Sequence, residues 1–350
     1  MIRLRTPRLS PTAYRRITLL ALFAIGFIIV TGAAVRLTGS GLGCPDWPTC
    51  DEGRVVAPLE SHALIEFVNR TITGLVSVAV ILAVLGSLWR VPRRRDLTWL
   101  SIGLVAGVLG QIVLGGITVL TDLHPVSVQG HFVLSMLLVW NAVVLHHRAG
   151  RADGGRRTIV IPGVTPLMAR LARAVVVLTG AAIVAGTVVT GTGPHGGDEE
   201  ARRFGFEIAT VARIHGGLVL ALLAITLLLA VQLRRHPSPA RLTRAVELFL
   251  LLGVLQAAIG YIQYFSDVPV LLVGGHVLGA VLVWVAALRV DLATRTYVGS
   301  EVDGGVGDGV DDRLPVGAGM PGDRDEVLHA EQVGDARGLE HGALEGGRRL

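Results

Sequence analysis

The chain has 350 residues, of which 51% are hydrophobic and only 17% charged, with a mean hydropathy of +0.60 and a formal net charge of +5. A soluble domain of this size cannot hide so much apolar surface in one core. Lysine is absent and the arginines gather mainly between apolar blocks, so the basic balance faces anionic lipid rather than nucleic acid.

Residues 1–16 carry Arg3, Arg5, Arg8, Arg15 and Arg16, too much charge for hydrocarbon, and are expected to form a cytoplasmic N-terminus. Apolar blocks follow at about 17–35, 64–89, 97–120, 128–146, 171–191, 207–233, 243–264 and 271–289. Each is about 20 residues long or somewhat more, enough to cross a hydrocarbon layer of about 30 Å. Lipid offers no partner to a bare backbone amide, so all eight are expected to be helices. The first lacks a small-residue cleavage site and reads as an uncleaved anchor. Further arginines gather at Arg90 and 93–95, at 148–157, and at Arg234, Arg235 and Arg241, whereas 121–127 and 265–270 have none. By the positive-inside rule both termini are cytoplasmic. From Asp291 onward the chain is rich in glycine and holds thirteen acids against six arginines, which leaves the remainder near +12. Such a composition does not repay the entropy of ordering, and a disordered cytoplasmic tail is expected at 290–350.

Two stretches align without a gap. Gln111 to His131 reads QIVLGGITVLTDLHPVSVQGH, and Gln256 to His276 reads QAAIGYIQYFSDVPVLLVGGH. Gly32, Val35, Thr38 and Gly39 recur in register within 186–193. The expected fold is therefore an all-α integral membrane protein of eight transmembrane helices, built as two four-helix bundles related by a pseudo-twofold axis along the membrane normal. The halves are 17–146 and 171–289, joined by a cytoplasmic linker at 147–170.

An ionisable side chain inside a span costs a few kcal/mol, so each one needs a reason. His131 and His276 open spans 4 and 8 at equivalent positions, and His215 lies about two turns into span 6, where the first half has Asn69. Two imidazoles facing each other across a four-helix bundle are the usual way to hold a six-coordinate heme iron. The alternative is a set of interhelical hydrogen bonds. Zinc fits less well, since neither a cysteine nor a carboxylate accompanies His215 and His276 in sequence. Glycines beside them (Gly216, Gly217, Gly274, Gly275, Gly279) leave room for a flat macrocycle.

Span 2 begins S-H-A-L-I-E-F-V-N-R, which sets His62, Glu66 and Asn69 along one face. Glu66 is either an ion-pair partner of Arg70, one turn on, or a working acid/base. The two cysteines, Cys44 and Cys50, lie in an outer loop and form either a structural staple or a redox-active pair. His195, in G-P-H-G-G-D, reads as a solvated turn.

The motifs R-L-T-G-S-G-L-G-C-P-D-W-P-T-C after span 1, I-E-F-x-N-R in span 2 and G-P-H-G-G-D after span 5 resemble those of heme A synthases, and the last is similar to that of actinobacterial members. With the histidines of spans 4, 6 and 8, the resemblance covers about residues 17–290. It implies that heme b is the cofactor, bound by His215 and His276 in the C-terminal half. It further implies that substrate heme O occupies the N-terminal half with His131 as an iron ligand and Glu66 as the catalytic carboxylate, close to a Cys44–Cys50 disulfide. The implied reaction oxidises the C8 methyl to a formyl group in two steps with water-derived oxygen, supplying heme A to terminal oxidases, with a heme O synthase as upstream partner. Many members have a histidine where this chain has Asn69, so His131 binds the substrate iron alone or His62 assists. A diheme b-type membrane electron-transfer protein, with no chemistry on its hemes, is the alternative, and a transporter a more distant one. The oligomeric state stays open, a homo-oligomer included.

Overall fold

The computed structural model describes residues 8–51, 53–54, 56–153 and 155–299. Eight helices long and apolar enough to cross a membrane are present among them: α1 (Pro11–Leu37), α2 (Ser61–Trp89), α3 (Arg95–Leu120), α4 (Pro125–Ala149), α5 (Pro166–Thr192), α6 (Ile208–Arg235), α7 (Ala240–Phe265) and α8 (Val270–Ala293). The protein is thus a multi-pass membrane protein. Large apolar side chains such as Phe23, Val177, Leu220 and Leu251 point outward, where lipid replaces water.

The helices outrun the hydropathy blocks because caps rather than hydrocarbon thickness end them. Ser10 Oγ accepts the Ala13 amide at 3.2 Å, Thr165 Oγ1 accepts the Met168 amide at 3.2 Å, and Pro11, Pro125 and Pro166 occupy first turns where no amide partner is needed. α1 accordingly includes Tyr14, Arg15 and Arg16, which the sequence reading left outside the first span. Tyr14 is fully buried and its hydroxyl lies 3.0 Å from Ser101 Oγ of α3.

Helices α1–α4 and α5–α8 form two four-helix bundles that repeat each other's packing. α1 packs on α4 as α5 packs on α8, and the halves meet through α4 on α8, α1 on α8 and α4 on α5. The pseudo-twofold relates the last two contacts. Small and branched residues fill this centre: Ala21, Ile25 and Ile29 of α1, Val139 and Ala142 of α4, Val281 and Ala287 of α8. Trp284 of α8 is buried there too, its indole Nε1–H donating to Met136 O of α4 at 2.9 Å.

The turns repeat as well. After α3, Asp122 and Leu123 take φ of 52° and 55°, and after α7, Asp267 and Val268 take 57° and 55°. Leu123 N–H closes on Thr118 O and Val268 N–H on Gln263 O, each at 2.9 Å and each spanning five residues. This is a Schellman-type ending, built twice by residues that rarely adopt the left-handed region.

The expected disordered tail starts too early by the structure. α8 continues past Asp291, whose Oδ1 pairs with Arg295 Nη2 at 3.0 Å, and β2 (Arg295–Gly299) then pairs antiparallel with β1 (Gly155–Val160). The linker expected at 147–170 therefore contains a strand, and α5 begins inside it at Pro166. The run Thr296-Tyr297-Val298 favours a strand, which the glycine- and acid-rich average of the longer stretch conceals. The rest of that expected tail, from residue 300 onward, lies outside the described residues.

Candidate functional site

In the second half, α6 and α8 bring His215 and His276 together with ring centroids 6.4 Å apart and planes at 71°. Each ring rests on the bare backbone of a neighbouring helix. A Cβ on Gly186 of α5 would lie 3.1 Å from His215 Cε1, and one on Gly260 of α7 would lie 2.9 Å from His276 Cε1. His215 Nδ1 is 2.9 Å from Ala182 O, so Nδ1 carries the proton and Nε2 keeps its lone pair. Beside the rings, a Cβ built on Gly216, Gly217 or Gly275 would meet no atom within 4 Å. Two imidazoles with an open glycine wall form a donor set and a cradle that fit a flat metallo-macrocycle.

The first half repeats this frame with one exchange. His131 on α4 lies against Gly115 of α3, 3.4 Å from the position of an added Cβ, as His276 lies against Gly260. Gly32 of α1, equivalent to Gly186, faces Asn69 instead of a histidine. Thr31 Oγ1 donates to Asn69 Oδ1 at 2.8 Å, which ties that amide to α1. His62, weighed above as a substitute ligand, is near the start of α2 and has its Nδ1 2.9 Å from Ser40 Oγ. Seven residues separate it from Asn69, about 10 Å along a helix axis.

Glu66 is 6% exposed and both its oxygens have partners. Oε2 accepts the Cys44 amide at 2.8 Å, and Oε1 accepts Arg70 Nη2 at 2.6 Å and Nε at 3.1 Å. The same guanidinium donates to Asp46 O at 3.2 Å, Thr49 O at 2.9 Å and Cys44 O at 2.9 Å. The ion pair weighed as one alternative is thus present, and it reaches beyond α2 to hold the cysteine loop. Cys44 and Cys50 are joined in a disulfide, buried in a small cluster with Ala57 and Ala63, with Phe67 packed against it.

Trp47 completes this arrangement and was not singled out by the sequence reading. The Arg70 guanidinium carbon lies 5.3 Å from the Trp47 ring centre, and the indole wedges against Gly116, where a Cβ would come within 2.5 Å of Nε1. Gly116 neighbours Gly115, the backbone under His131, so the loop reaches the wall of the His131 site. Gly116→Ala is expected to destabilise the protein by about 1–3 kcal/mol through overpacking against a rigid indole. The check is thermal unfolding in detergent, with Trp47→Leu in the same chain restoring part of the loss.

Arg36 is the other residue that sequence reasoning passed over. It lies near the end of α1, inside the R-L-T-G motif, and its guanidinium donates to His195 O at 2.6 Å and Thr190 O at 3.0 Å. Its partners are more than 150 residues away, so local pattern gives no sign of them. His195 is not a solvated turn: its Nε2 is 2.8 Å from Val268 O in the α7–α8 turn, and it is partly buried. Gly41 N–H donates to Gly197 O at 2.8 Å, an approach that a side chain at Gly41 would block by coming within 3.0 Å of that oxygen. The cysteine-loop segment and the G-P-H-G-G-D loop thereby clasp the two halves at one end.

Among the described residues no group of three or more His, Cys, Asp or Glu side chains is gathered as a metal site, which leaves the imidazole pair as the candidate. The family model for a cytochrome oxidase assembly protein matches residues 15–63 and 56–194, a little over half of the chain. Among curated proteins, the heme A synthase of Bacillus pumilus is 30% identical over 136 residues, 38% of this chain and 44% of that protein. The heme A synthase of Bacillus licheniformis is 24% identical over 147 residues, covering 42% and 48%, and that of Lysinibacillus sphaericus is 29% identical over 110 residues, covering 31% and 34%. Each match spans less than half the length of the relative.

Proposed function

The chain belongs to the cytochrome oxidase assembly protein family, and we propose on that footing that it is a heme A synthase of the cell membrane; the G-P-H-G-G-D loop favours the actinobacterial type. The observation that carries the reading is the His215–His276 pair, with ring centroids 6.4 Å apart. An imidazole nitrogen binds a first-row metal at about 2.0–2.1 Å, so two imidazoles on opposite sides of one ion have ring centres about 6 Å apart. Heme b, when bound there, supplies a one-electron centre that passes electrons away from the substrate. His215 keeps Nε2 free for iron through its bond to Ala182 O, and Gly186 and Gly260 let both rings lie close to the helix backbones.

The N-terminal half is the proposed substrate site. His131 would hold the iron of heme O, and Asn69, an amide tied to Thr31, would leave the opposite side to solvent or to a weaker contact; His62, held by Ser40, is the less favoured second ligand. The C8 methyl would lose four electrons and four protons in two successive two-electron oxidations, each taking a hydroxyl from water, and the gem-diol would release one water to leave the formyl group. An oxidant outside the protein would take the electrons, relayed by the C-terminal heme. Glu66 is the proposed acceptor of the released protons, with Arg70 fixing its orientation. The arginine distribution supports a topology with both termini in the cytoplasm, and residues 17–146 and 171–289 would be the working halves. Heme O synthase would supply the substrate.

Co-expression with a heme O synthase in cells lacking heme A is the test, read by pigment extraction and chromatography. Heme A is expected with the intact chain, and unconverted heme O with Glu66→Ala at equal protein level. Heme O as sole product of the intact, heme-loaded chain would overturn the proposal in favour of a diheme electron carrier.

A further inference from the structure

We propose that Gln111 and Gln256 are a matched pair of positioning residues for His131 and His276, each bracing the backbone of its histidine and offering its amide oxygen to that imidazole's Nδ1–H. The inference rests on the heme reading above and adds residues that the reading does not use.

The two glutamines do the same thing in both halves. Gln111 Nε2 on α3 donates to His131 O on α4 at 3.1 Å, and Gln256 Nε2 on α7 donates to His276 O on α8 at 2.8 Å. Gln111 also donates to Ser135 Oγ at 2.7 Å, on the next turn of α4. A glutamine amide within a span is costly unless it has work there. The halves differ at the other ligand position, Asn69 against His215, yet share this pair. What the glutamine serves is therefore what the halves have in common, a histidine one turn or two into the fourth helix.

The unmatched atoms point the same way. Gln111 Oε1, Gln256 Oε1, His131 Nδ1 and His276 Nδ1 are all buried without a hydrogen-bond partner among the described residues. The amide orientation is fixed by the main-chain carbonyl it faces, since Nε2 must donate there; Oε1 is then an acceptor without a donor. An imidazole that binds iron through Nε2 carries its proton on Nδ1 and needs an acceptor for it. Each half thus holds one buried donor and one buried acceptor on residues already bonded through the main chain. The two atoms do not touch in this structure, and the proposed contact has the amide or the imidazole turn towards the other once Nε2 is engaged. His215 differs, because Ala182 O serves its Nδ1. Glycine permits the close fit in the second half: a Cβ on Gly279, three residues after His276, would fall 1.9 Å from Gln256 Oε1. Gln256 therefore lies flat on the face of α8 that carries His276.

An acceptor on Nδ1–H orients the ring and makes Nε2 more basic, which favours ferric iron and lowers the reduction potential. The test is a redox titration of the purified full-length protein with bound heme, followed by visible and electron paramagnetic resonance spectra. Gln256→Leu is expected to raise the midpoint potential of the low-spin heme, alter its g-values and weaken heme retention by about 10- to 100-fold. Gln256→Glu, of nearly the same volume, is expected to keep the heme and to lower its potential below that of the unaltered protein, because a carboxylate is a stronger acceptor than an amide oxygen. Gln111→Leu is expected to leave this heme unchanged. Potentials and g-values of both position-256 variants coincident with the unaltered protein would overturn the assignment. If Gln256→Leu loses its heme altogether, Gln256→Glu decides, and an unshifted potential there overturns it. Unaltered protein that holds no low-spin heme would instead overturn the heme reading itself.

Discussion

Replacing His276 with alanine is expected to abolish the low-spin heme spectrum of the purified protein, while the chain still accumulates in the membrane. The expectation follows from what the side chain touches. His276 Nδ1 has no hydrogen-bond partner among the described residues, and its ring contacts the bare backbone at Gly260 and the facing ring of His215. Alanine therefore removes little packing and breaks no hydrogen bond of the imidazole, so the fold should survive. A heme held there as proposed would, by contrast, lose one of the two imidazoles that bind it. His215→Ala should act alike, although it also gives up the 2.9 Å bond to Ala182 O. His131→Ala should leave the same bands in place, because it stands in the other half. The measurement is heme content per protein with the Soret and α bands of the reduced form. Bands unchanged in both His215→Ala and His276→Ala would remove the foundation of the functional proposal.

The second large effect is expected at Arg70. Its side chain is 20% exposed and that of Glu66 7%, so the pair is largely withdrawn from solvent. Removing one partner from such a pair costs about 3–5 kcal/mol, because the other charge stays buried. The two removals are not equivalent. Glu66→Leu leaves the guanidinium its three carbonyl partners in the cysteine loop, whereas Arg70→Leu leaves the carboxylate only the backbone amides of Cys44 and Gly43 and removes the guanidinium that ties the loop carbonyls to α2. Arg70→Leu should therefore be the more destabilising, with easier reduction of the Cys44–Cys50 disulfide. The double variant should be less damaged than the sum of the two, as expected for residues that share one interaction. Thermal unfolding in detergent and the rate of disulfide reduction by a soluble thiol check this. Additive losses would show that the pair is not coupled. If Glu66 is the working carboxylate, heme A formation should be lost in Glu66→Leu and stay lost in the double variant even where stability is regained, and that separates its chemical role from its structural one.

Much of this was legible in the sequence. Eight apolar blocks gave eight helices, and the constant Gln-to-His spacing marked the repeat that the two bundles show, although it gave no sign of the hydrogen bond that joins each glutamine to its histidine. The facing of His215 and His276 followed from their places near the starts of spans 6 and 8. What stayed hidden has identifiable physical causes. Hydropathy reports hydrocarbon, not helix, so it missed the first turns of α1, where Tyr14 is buried against Ser101. Averaged composition concealed the short strand at Arg295–Gly299. Arg36, Trp47 and His195 owe their roles to partners far along the chain, and a motif that names them does not say what they touch. For Glu66 the sequence posed the right alternatives; the geometry supplies the ion pair and extends it to the loop carbonyls.

The hydrogen bond from Thr31 to Asn69 has a kinetic consequence. Under the proposed assignment, a porphyrin held by histidines on both sides leaves only when two axial bonds have broken, and so has a long residence time. One held by His131 alone departs after a single rupture. A duplicated scaffold can in this way keep one pigment as permanent equipment and pass another through, and the distinction between lodger and visitor comes down to an amide on α2 that is already engaged by a hydroxyl on α1.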